Sequence, residues 1–412
     1  MKIMYLTDVG FDTSNGSNHL IVSMLAAFLD EGHSVYLVQS HTTGKYSDIP
    51  KELEGRVNFY ADTIVRPVIA KGNFVKRYLS AIRYEFIAKN KWKKHINDVD
   101  VVILQSHYTA VYAAFLLKAY HKKIVFSIFD IFPGEAYTNG NIKSKLVYDF
   151  LKFIQTYLYR KCDEFFTLTT DTRRMLISLG VEERKIAVIP NWFNNKEIRE
   201  VPYEENTFFS EFNMTTQKHY VQYAGSIGVS YDFDLIVNIA EALSYREDIV
   251  FQIVGEGLKL NDMKSLAQKK NLNNIQFIPW QPIERLSEVY SACSIQIVSL
   301  RKDVIRNSYP SKILPLMACG RIPIISVEED SDFYKIINDQ KIGIATPLGN
   351  KEKMIESIIY LADNPTRRSE MQRDAKKFAY KNYTAKVNTQ KMMKELVKLQ
   401  NGEEKDEWIV YG

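Results

Sequence analysis

Short runs of apolar residues alternate with segments of helical apolar spacing along most of the chain. The first run, Lys2–Thr7, predicts a buried strand, and His19–Leu29 carries apolar residues at the i, i+3, i+4 spacing of an amphipathic helix. A second run, Val35–Gln39, completes a strand–helix–strand unit. Repetition of this unit predicts an α/β protein with parallel, doubly wound sheets.

The same alternation continues through both halves of the chain. In the first half the pattern predicts strands at Asp100–Gln105, Lys123–Phe129, Glu164–Leu168 and Ile186–Ile189, and helices at Ala110–Tyr120, Lys145–Arg160 and Arg173–Leu179. In the second half it predicts strands at Tyr220–Ala224, Ile249–Val254, Ile275–Ile278, Ile295–Leu300 and Ile322–Ile325, and helices near 232–243, 282–292, 350–362, 365–381 and 385–399.

Residues 194–217 interrupt this rhythm, because they are polar and irregular. A length of 412 residues also suits two domains of about 200 residues each. We therefore expect an N-terminal domain over 1–193, a linker over 194–217 and a C-terminal domain over 218–384, with a last helix at about 385–400 packing back on the first domain. The carboxyl ends of both sheets are expected to face a cleft.

The stretch Val298–Ser326 reads as a strand, a basic loop, a short helix, a glycine turn and a second buried strand. Pro310 or Ser311 suits the helix start, and Gly320 suits a left-handed C-terminal cap. A helix that begins at the carboxyl end of a parallel sheet presents free N–H groups to an anion. The alternative is an ordinary strand–helix unit with a solvated basic loop.

Residues 66–94 interleave basic and aromatic side chains on a helical pattern. This composition is typical of a helix lying on an anionic membrane surface. A solvated helix packed on its own domain is an equal alternative, and nucleic-acid binding ranks third because no other segment favours it. The helix Lys145–Arg160 has its apolar positions at Leu146, Phe150, Phe153, Ile154 and Tyr157.

The composition fits a soluble globular protein, with 46% hydrophobic and 25% charged residues and a net charge of +5. That charge is too small to indicate nucleic-acid binding.

Cys162, Cys293 and Cys319 are scattered and lack metal-ligand spacing, as in a reducing compartment. The apolar start is too short for a signal peptide, and no run reaches the roughly 18–20 apolar residues of a membrane span. We expect a cytoplasmic protein that touches the inner face of the membrane.

Two carboxylates follow the strand Lys123–Phe129, where parallel strands place their functional loops. They are Asp130 and Glu135, and His107 stands just past the preceding strand. His107 is a candidate contact for an acceptor substrate, although a structural role is the more frequent one for histidine. The loop 12–18, with Gly16 and Ser17, follows the first strand and belongs to the same candidate region.

Several short motifs occur in an order that resembles one enzyme family. They are Gly32-His33-Ser34-Val35, Tyr159–Asp163, Val188–Trp192, Tyr223–Gly228, Ile253–Gly257 and Pro310–Gly320. Together they resemble the retaining GT-B glycosyltransferases of family 4. The segments Asp130–Pro133 and Pro310–Lys312 are most similar to the O-antigen and capsule branch, which includes N-acetylfucosaminyltransferases. In that branch an acidic residue usually follows the proline, whereas Gly134 intervenes here before Glu135.

The resemblance implies a GT-B fold of two Rossmann-like domains and a role for each motif of the second domain. Ser311 and Lys312 would hold the diphosphate of a nucleotide-sugar donor, and Gly225-Ser226 would let the backbone approach it. Gly255 and the loop Trp280-Gln281 would line the base and ribose.

In the first domain, Asp130 replaces a histidine that contacts the donor sugar in many relatives. Its carboxylate would bind sugar hydroxyls, stabilise positive charge on the anomeric carbon or deprotonate the acceptor.

This chain departs from the family pattern at several positions. Asn307 and Pro315 replace two glutamates, and Ser226 replaces an arginine. We expect Arg306 and Lys312 to supply the charge that stabilises the leaving diphosphate.

The resemblance therefore implies a retaining, metal-independent transferase that uses no cofactor. It would move a sugar from a nucleotide donor to a lipid-linked or glycan acceptor in bacterial surface polysaccharide synthesis. UDP is the donor nucleotide that this branch usually uses. The missing glutamates leave an alternative, a catalytically silent GT-B protein that stabilises an active partner. A GT-B epimerase or phosphorylase is a weaker third reading, because no lysine has the local signature of a pyridoxal site.

Overall fold

The computed structural model describes residues 1–11, 18–41, 49–67, 69 and 74–403. The chain divides into two compact units. Unit 1 comprises residues 1–191, 307–309 and 385–412, and unit 2 comprises residues 192–306 and 310–384.

Unit 1 is built on a parallel sheet of seven strands in the order β3-β2-β1-β4-β5-β6-β7. The strands are β1 (Lys2–Leu6), β2 (Ser34–His41), β3 (Phe59–Val65), β4 (Val101–Gln105), β5 (Lys123–Ser127), β6 (Glu164–Thr167) and β7 (Ile186–Val188). The helices are α1 (Asn18–Asp30), α2 (Phe74–Trp92), α3 (Ala110–Leu117), α4 (Gly134–Thr138), α5 (Lys145–Tyr159) and α6 (Thr170–Ser178). This strand order is that of a doubly wound sheet.

Unit 2 repeats the plan with six parallel strands in the order β10-β9-β8-β11-β12-β13. They are β8 (His219–Ala224), β9 (Ile249–Val254), β10 (Ile275–Ile278), β11 (Ile295–Ser299), β12 (Ile322–Val327) and β13 (Ile344–Pro347). The helices of the second half of the chain are α7 (Thr207–Glu211), α8 (Phe233–Ala242), α9 (Leu260–Lys269), α10 (Leu286–Ser291), α11 (Val304–Asn307), α12 (Ile313–Ala318), α13 (Asp332–Asp339), α14 (Lys351–Asp363), α15 (Pro365–Asn382) and α16 (Ala385–Asn401). The last of these, α16, is grouped with unit 1, where it packs on α1.

The strand pattern of the sequence is confirmed except at β3 and β13, which the apolar runs do not reveal. β3 is an edge strand whose residues are mostly half-exposed, so its sequence lacks a continuous apolar run. The strand β12, by contrast, is buried along its whole length, as its isoleucines predict.

Residues 194–217 are grouped with unit 2 rather than lying apart from it. The Arg199 backbone N–H donates to the Ser287 hydroxyl (3.1 Å), and the Asn206 amide donates to the Glu288 carbonyl (2.9 Å). Polar side chains give this stretch no apolar rhythm, but they are the groups that hold it to α10.

The helix after the basic loop begins later than its sequence signals indicate. Residues 310–313 form a turn, in which the Ile313 N–H donates to the Pro310 carbonyl (3.1 Å), and α12 itself spans Ile313–Ala318. Gly320 has φ +71°, and the Arg321 N–H reaches the Leu316 carbonyl (3.0 Å), which confirms the predicted C-terminal cap. Across the described residues, no helix has both the length and the apolar character needed to cross a membrane.

Candidate functional site

Lys312 is a largely buried cation in unit 2. Its ammonium donates to the Tyr223 hydroxyl (3.0 Å) and lies 4.9 and 5.1 Å from the ring centroids of Tyr223 and Tyr231. Burial lowers the pKa of Lys312 to about 8. In the described part of the chain no carboxylate forms an ion pair with it. A buried cation held only by aromatic rings and a hydroxyl is suited to receive an anion.

Gly225 lies directly under this lysine. A Cβ atom at Gly225 would stand 2.3 Å from Lys312 Nζ. The lysine side chain therefore occupies the space that a side chain at position 225 would need. Gly225 follows β8, whose neighbours in the sheet are β9 and β11. This is the point where the strand order reverses, and doubly wound proteins bind their ligands there.

A second glycine loop packs backbone to backbone against the first. Gly255 has φ +143°, and a Cβ there would stand 2.0 Å from the Gly225 carbonyl oxygen. The Gly225 N–H donates to the Val254 carbonyl (2.8 Å), and the Gly255 N–H donates to the Ile278 carbonyl (3.0 Å). Only glycine permits this spacing, so the loops after β8 and β9 are held together as one surface.

The other residues assigned to donor binding differ in their exposure and hydrogen-bond partners within unit 2. Ser226 and Ser311 are exposed, and the Ser226 carbonyl accepts a hydrogen bond from Tyr223 (2.5 Å). Trp280 is 52% exposed in the loop after β10, and the Gln281 side-chain oxygen accepts from Arg285 (3.0 Å). The hydrogen bond from the Gly255 N–H to the Ile278 carbonyl brings the end of β10 next to the glycine loops.

Arg306 is engaged with carboxylates of unit 2. Its guanidinium donates to Asp330 (2.7 Å), with Asp303 at 3.6 Å, and the Asp330 hydrogen bond raises its pKa. Arg306 is therefore already paired, whereas Lys312 is not. A role on a diphosphate would require Arg306 to exchange the Asp330 contact for the ligand.

Asp130 and Glu135 form a carboxyl pair in unit 1. Asp130 remains accessible to solvent, but the surrounding protein raises the pKa of its carboxyl group, while a hydrogen bond from Ser308 opposes this shift. Burial and the charge of Asp130 raise the pKa of Glu135 against the hydrogen bond from Asn139 and the charge of Arg77. Raised pKa values bring the pair closer to the range in which carboxylates transfer protons near neutral pH.

Asn307 packs against the segment that carries this pair. Its backbone carbonyl accepts from the Ile131 N–H (2.9 Å), and its side-chain amide donates to the Thr138 hydroxyl (3.5 Å). A Cβ at Gly134 would stand 2.3 Å from Asn307 Oδ1. The two departures from the family pattern, Gly134 and Asn307, therefore accommodate each other within unit 1.

We predict that Gly134→Ala lowers the unfolding temperature and that adding Asn307→Ala restores much of the loss. The added methyl group clashes only with the Asn307 side chain, and the second substitution removes that side chain. A double-mutant cycle monitored by thermal unfolding should give a coupling energy of about 1–2 kcal/mol. Additive effects of the two substitutions would contradict the packing described.

His107 is held on both ring nitrogens. Nε2 is 2.6 Å from Glu85 Oε1, and Nδ1 is 3.1 Å from the Gln105 carbonyl and 3.7 Å from Asp8 Oδ1. Burial opposes protonation, but the charges of Asp8 and Glu85 outweigh it and raise the pKa of His107 to about 9. A protonated ring with both N–H groups engaged orders the end of β4 and is not available as a base.

Asp8, Glu85, Tyr223, Tyr231 and Ser308 belong to these clusters but were missed in the sequence. Asp8 accepts from Arg66 (2.9 Å) next to His107. The signal available in the sequence was their position, since Asp8 follows β1 and Tyr223 is the penultimate residue of β8. Gly16 and Ser17 lie outside the described residues.

Over the ranges described, no group of three or more His, Cys, Asp and Glu residues could hold a metal ion.

Two family descriptions match the chain, one on each half. Residues 14–197 match Glycosyltransferase Family 4, and residues 204–381 match Glycosyl transferases group 1. Among curated proteins, the probable glycosyltransferase WbjE of Pseudomonas aeruginosa is 23% identical over 281 residues, which are 67% of this chain and 70% of that protein. An uncharacterized glycosyltransferase of Methanocaldococcus jannaschii is 23% identical over 75% of this chain and 79% of its own length.

Solved structures with the same fold include sucrose-phosphate synthase from Thermosynechococcus elongatus. It has a TM-score of 0.77 at 13% identity and covers 98% of this chain and 100% of its own. Anabaena HepE, solved with UDP and glucose, has a TM-score of 0.72 at 12% identity and covers 97% and 100%.

These matches, together with the two doubly wound sheets, define a GT-B glycosyltransferase. The chain belongs to the family 4 and group 1 glycosyltransferases, whose two descriptions between them span most of its length. This confirms the predicted fold and enzyme class.

Proposed function

We propose that this glycosyltransferase transfers a sugar, with retention, from a nucleoside-diphosphate donor to a lipid-linked or glycan acceptor of a bacterial surface polysaccharide. A UDP-sugar is the favoured donor. The observation that carries the proposal is the buried, carboxylate-free ammonium of Lys312 over the backbone of Gly225.

In unit 2, Lys312 and the glycine loops form the diphosphate site of this proposal. The ammonium leaves the Tyr223 hydroxyl, or shares it, to contact the phosphate oxygens, and the backbone of Gly225 and Ser226 becomes accessible beneath it. The exposed Ser311 hydroxyl precedes Lys312 and supplies a second donor. Charge-assisted hydrogen bonds stabilise the negative charge that the diphosphate gains as it leaves the sugar, so no metal ion is required.

The base and ribose are assigned to the adjoining loops. Gly255 lies against Gly225, and Trp280 is an exposed aromatic ring after β10 that can stack on a base. Asn307 is packed on the Gly134 segment through its carbonyl and amide, so it is assigned to shaping that segment rather than replacing a glutamate.

The carboxyl pair of unit 1 is assigned to the acceptor and the reacting sugar. Asp130 is accessible and has a raised pKa, so it binds sugar hydroxyls or takes the proton of the acceptor hydroxyl. The charge of Asp130 raises the pKa of the neighbouring Glu135, which we assign to binding the acceptor. His107 orders the neighbouring strand end.

The relatives support the donor and pathway assigned here. HepE has been solved with UDP, with UDP and glucose, and with UDP-glucose. A putative colanic acid biosynthesis glycosyl transferase of Escherichia coli is 23% identical over 40% of this chain. The proposal of retention rests on the resemblance of the sequence motifs to retaining enzymes. The proposed cytoplasmic location at the inner membrane face follows from the lipid-linked acceptor. The described part of segment 66–94 supplies basic helix α2 for that contact.

Donor turnover tests the proposal. Purified protein incubated with UDP-glucose, UDP-N-acetylglucosamine and GDP-mannose should release a nucleoside diphosphate from one of them, slowly by hydrolysis and faster with a lipid extract as acceptor source. Anomeric analysis of the released or transferred sugar reports retention. The Asp130→Asn variant should bind the same donor but release less diphosphate. Release of no diphosphate under any of these conditions would favour a catalytically silent partner protein.

A further inference from the structure

Helix α5 is apolar on two sides. Its inner side is buried in unit 1 through Leu151, Leu158 and Tyr159. Its outer side leaves large apolar side chains exposed at Leu146 (82%), Val147 (46%), Phe150 (63%), Phe153 (71%) and Tyr157 (49%). A contiguous set of large exposed apolar side chains marks an interaction surface, so the exposed side indicates a missing partner.

The exposed side chains form one stripe along α5. Leu146, Phe150, Phe153 and Tyr157 follow one another at intervals of four, three and four residues, which places them on one face of the helix. The stripe is therefore a continuous apolar surface that spans twelve residues, Leu146 to Tyr157, and not a scatter of single hydrophobic residues.

Helices α2 and α3 extend this surface. α3 packs between α2 and α5, with Phe115 55% exposed, and α2 exposes Val75, Leu79 and Phe86. The Tyr78 and Tyr112 hydroxyls hydrogen-bond (3.1 Å) between α2 and α3. The three helices form one layer beside the sheet, and we call the exposed side of this layer the α2–α3–α5 face.

The charges of the α2–α3–α5 face are predominantly positive. α2 has five basic residues and one acidic residue, Glu85, which is buried against His107. Lys76 and Arg83 are exposed, and on α5 the exposed Lys145 pairs with Asp149 (3.0 Å). A second copy of the chain docking through the same face would oppose two sets of cations, which costs free energy. Anionic lipid headgroups complement the cations, and the acyl region accommodates the apolar stripe.

We propose that the α2–α3–α5 face is a lipid-docking surface in which α5 inserts its apolar stripe into an anionic bilayer while the cations of α2 contact the headgroups. The sequence assigned membrane contact to segment 66–94 alone, so α5 is the new element. The inference rests on the proposed function for its lipid-linked acceptor, which such a surface would bring to unit 1.

Vesicle binding of the full chain tests the inference. Phe150→Glu combined with Phe153→Glu should reduce partitioning onto vesicles of phosphatidylglycerol and phosphatidylethanolamine about tenfold or more, since two aromatic rings are replaced by charges. Val57→Glu is the matched control, because Val57 is 88% exposed and lies outside the three helices. It should bind as the wild type does. Thermal unfolding should be nearly unchanged in both variants, since the substituted side chains are exposed.

Insertion depth gives a second readout. A Phe153→Trp variant should lose tryptophan fluorescence on vesicles that contain brominated lipids, and a Val57→Trp variant should not. Equal vesicle binding by the wild type and the double glutamate variant would overturn the inference. So would a wild-type dimer in vesicle-free solution that the double variant loses, because the face would then be covered by a second copy.

Nucleotide binding separates this inference from the proposed function. The double glutamate variant should keep the nucleoside-diphosphate affinity of the wild type, because the substituted residues belong to unit 1 and Lys312 to unit 2. Loss of vesicle binding in a protein that binds no nucleotide would support the docking surface and contradict the proposed donor.

Discussion

Lys312→Met is expected to weaken nucleoside-diphosphate binding by about 10- to 100-fold, the cost of one charge-assisted hydrogen bond to a phosphate. Methionine keeps most of the side-chain volume over Gly225 and removes the charge. Isothermal titration calorimetry with UDP measures the effect. Lys302→Met is the matched control, because Lys302 is an exposed lysine of the same basic loop.

The same substitution should stabilise the ligand-free protein. Burial lowers the pKa of Lys312 to about 8, so the charged form is disfavoured in the folded state. Below pH 8 Lys312 is protonated in both the folded and the unfolded state, so the folded state bears the full cost of burying the charge. At pH 7 the Lys312→Met variant should therefore be more stable than the wild type by about 1–3 kcal/mol.

Between pH 8 and the unfolded-state pKa of about 10.4, the unfolded chain binds more protons, so wild-type stability rises with pH and the difference closes. The affinity for a diphosphate should fall over the same range, because the folded ligand-free lysine loses its proton above about pH 8. Equal UDP affinity in Lys312→Met and Lys302→Met, or a less stable ligand-free Lys312→Met, would contradict the anion site.

Gly255→Ala is expected to be the most damaging single substitution among the glycines of unit 2. Its Cβ would stand 2.0 Å from a backbone oxygen, which cannot rotate away, at a φ of +143° that favours glycine. The loss should be about 2–4 kcal/mol, seen as a lower thermal unfolding temperature, and UDP binding should weaken because the Gly225 loop is displaced.

Gly349→Ala separates the clash from the backbone strain. Gly349 also has a positive φ, +73°, but a Cβ there would meet nothing within 4 Å. This control should lose about 1–2 kcal/mol and keep its UDP affinity. If Gly255→Ala were no worse than Gly349→Ala, the close packing of the two glycine loops would not be what holds the site.

The fold was largely accessible from the sequence because buried parallel strands carry continuous apolar runs. β12 is buried at every residue and was predicted, whereas edge strand β3 mixes polar and exposed positions and was missed. The glycine cap at Gly320 followed from local stereochemistry, which needs no knowledge of distant contacts.

The candidate sites were accessible only in part, because side-chain partners come from distant segments. The sequence grouped Gly225, Gly255 and Lys312 through a family resemblance, and the structure places them in one cluster. It could not show that Arg306 pairs with Asp330 or that Asn307 fills the space left by Gly134. Helical spacing likewise identified the apolar positions of α5, but not that most of them are exposed.

Thermal unfolding with UDP, GDP and ADP tests the central claim, that Lys312 and the glycine loops bind a nucleoside diphosphate. A ligand that binds only the folded state raises its stability by about 2.7 kcal/mol at a hundred times Kd. We predict that saturating UDP raises the unfolding temperature of the wild type and that Lys312→Met loses most of this shift. No shift with any of the three nucleotides, or an equal shift in the wild type and Lys312→Met, would contradict the claim.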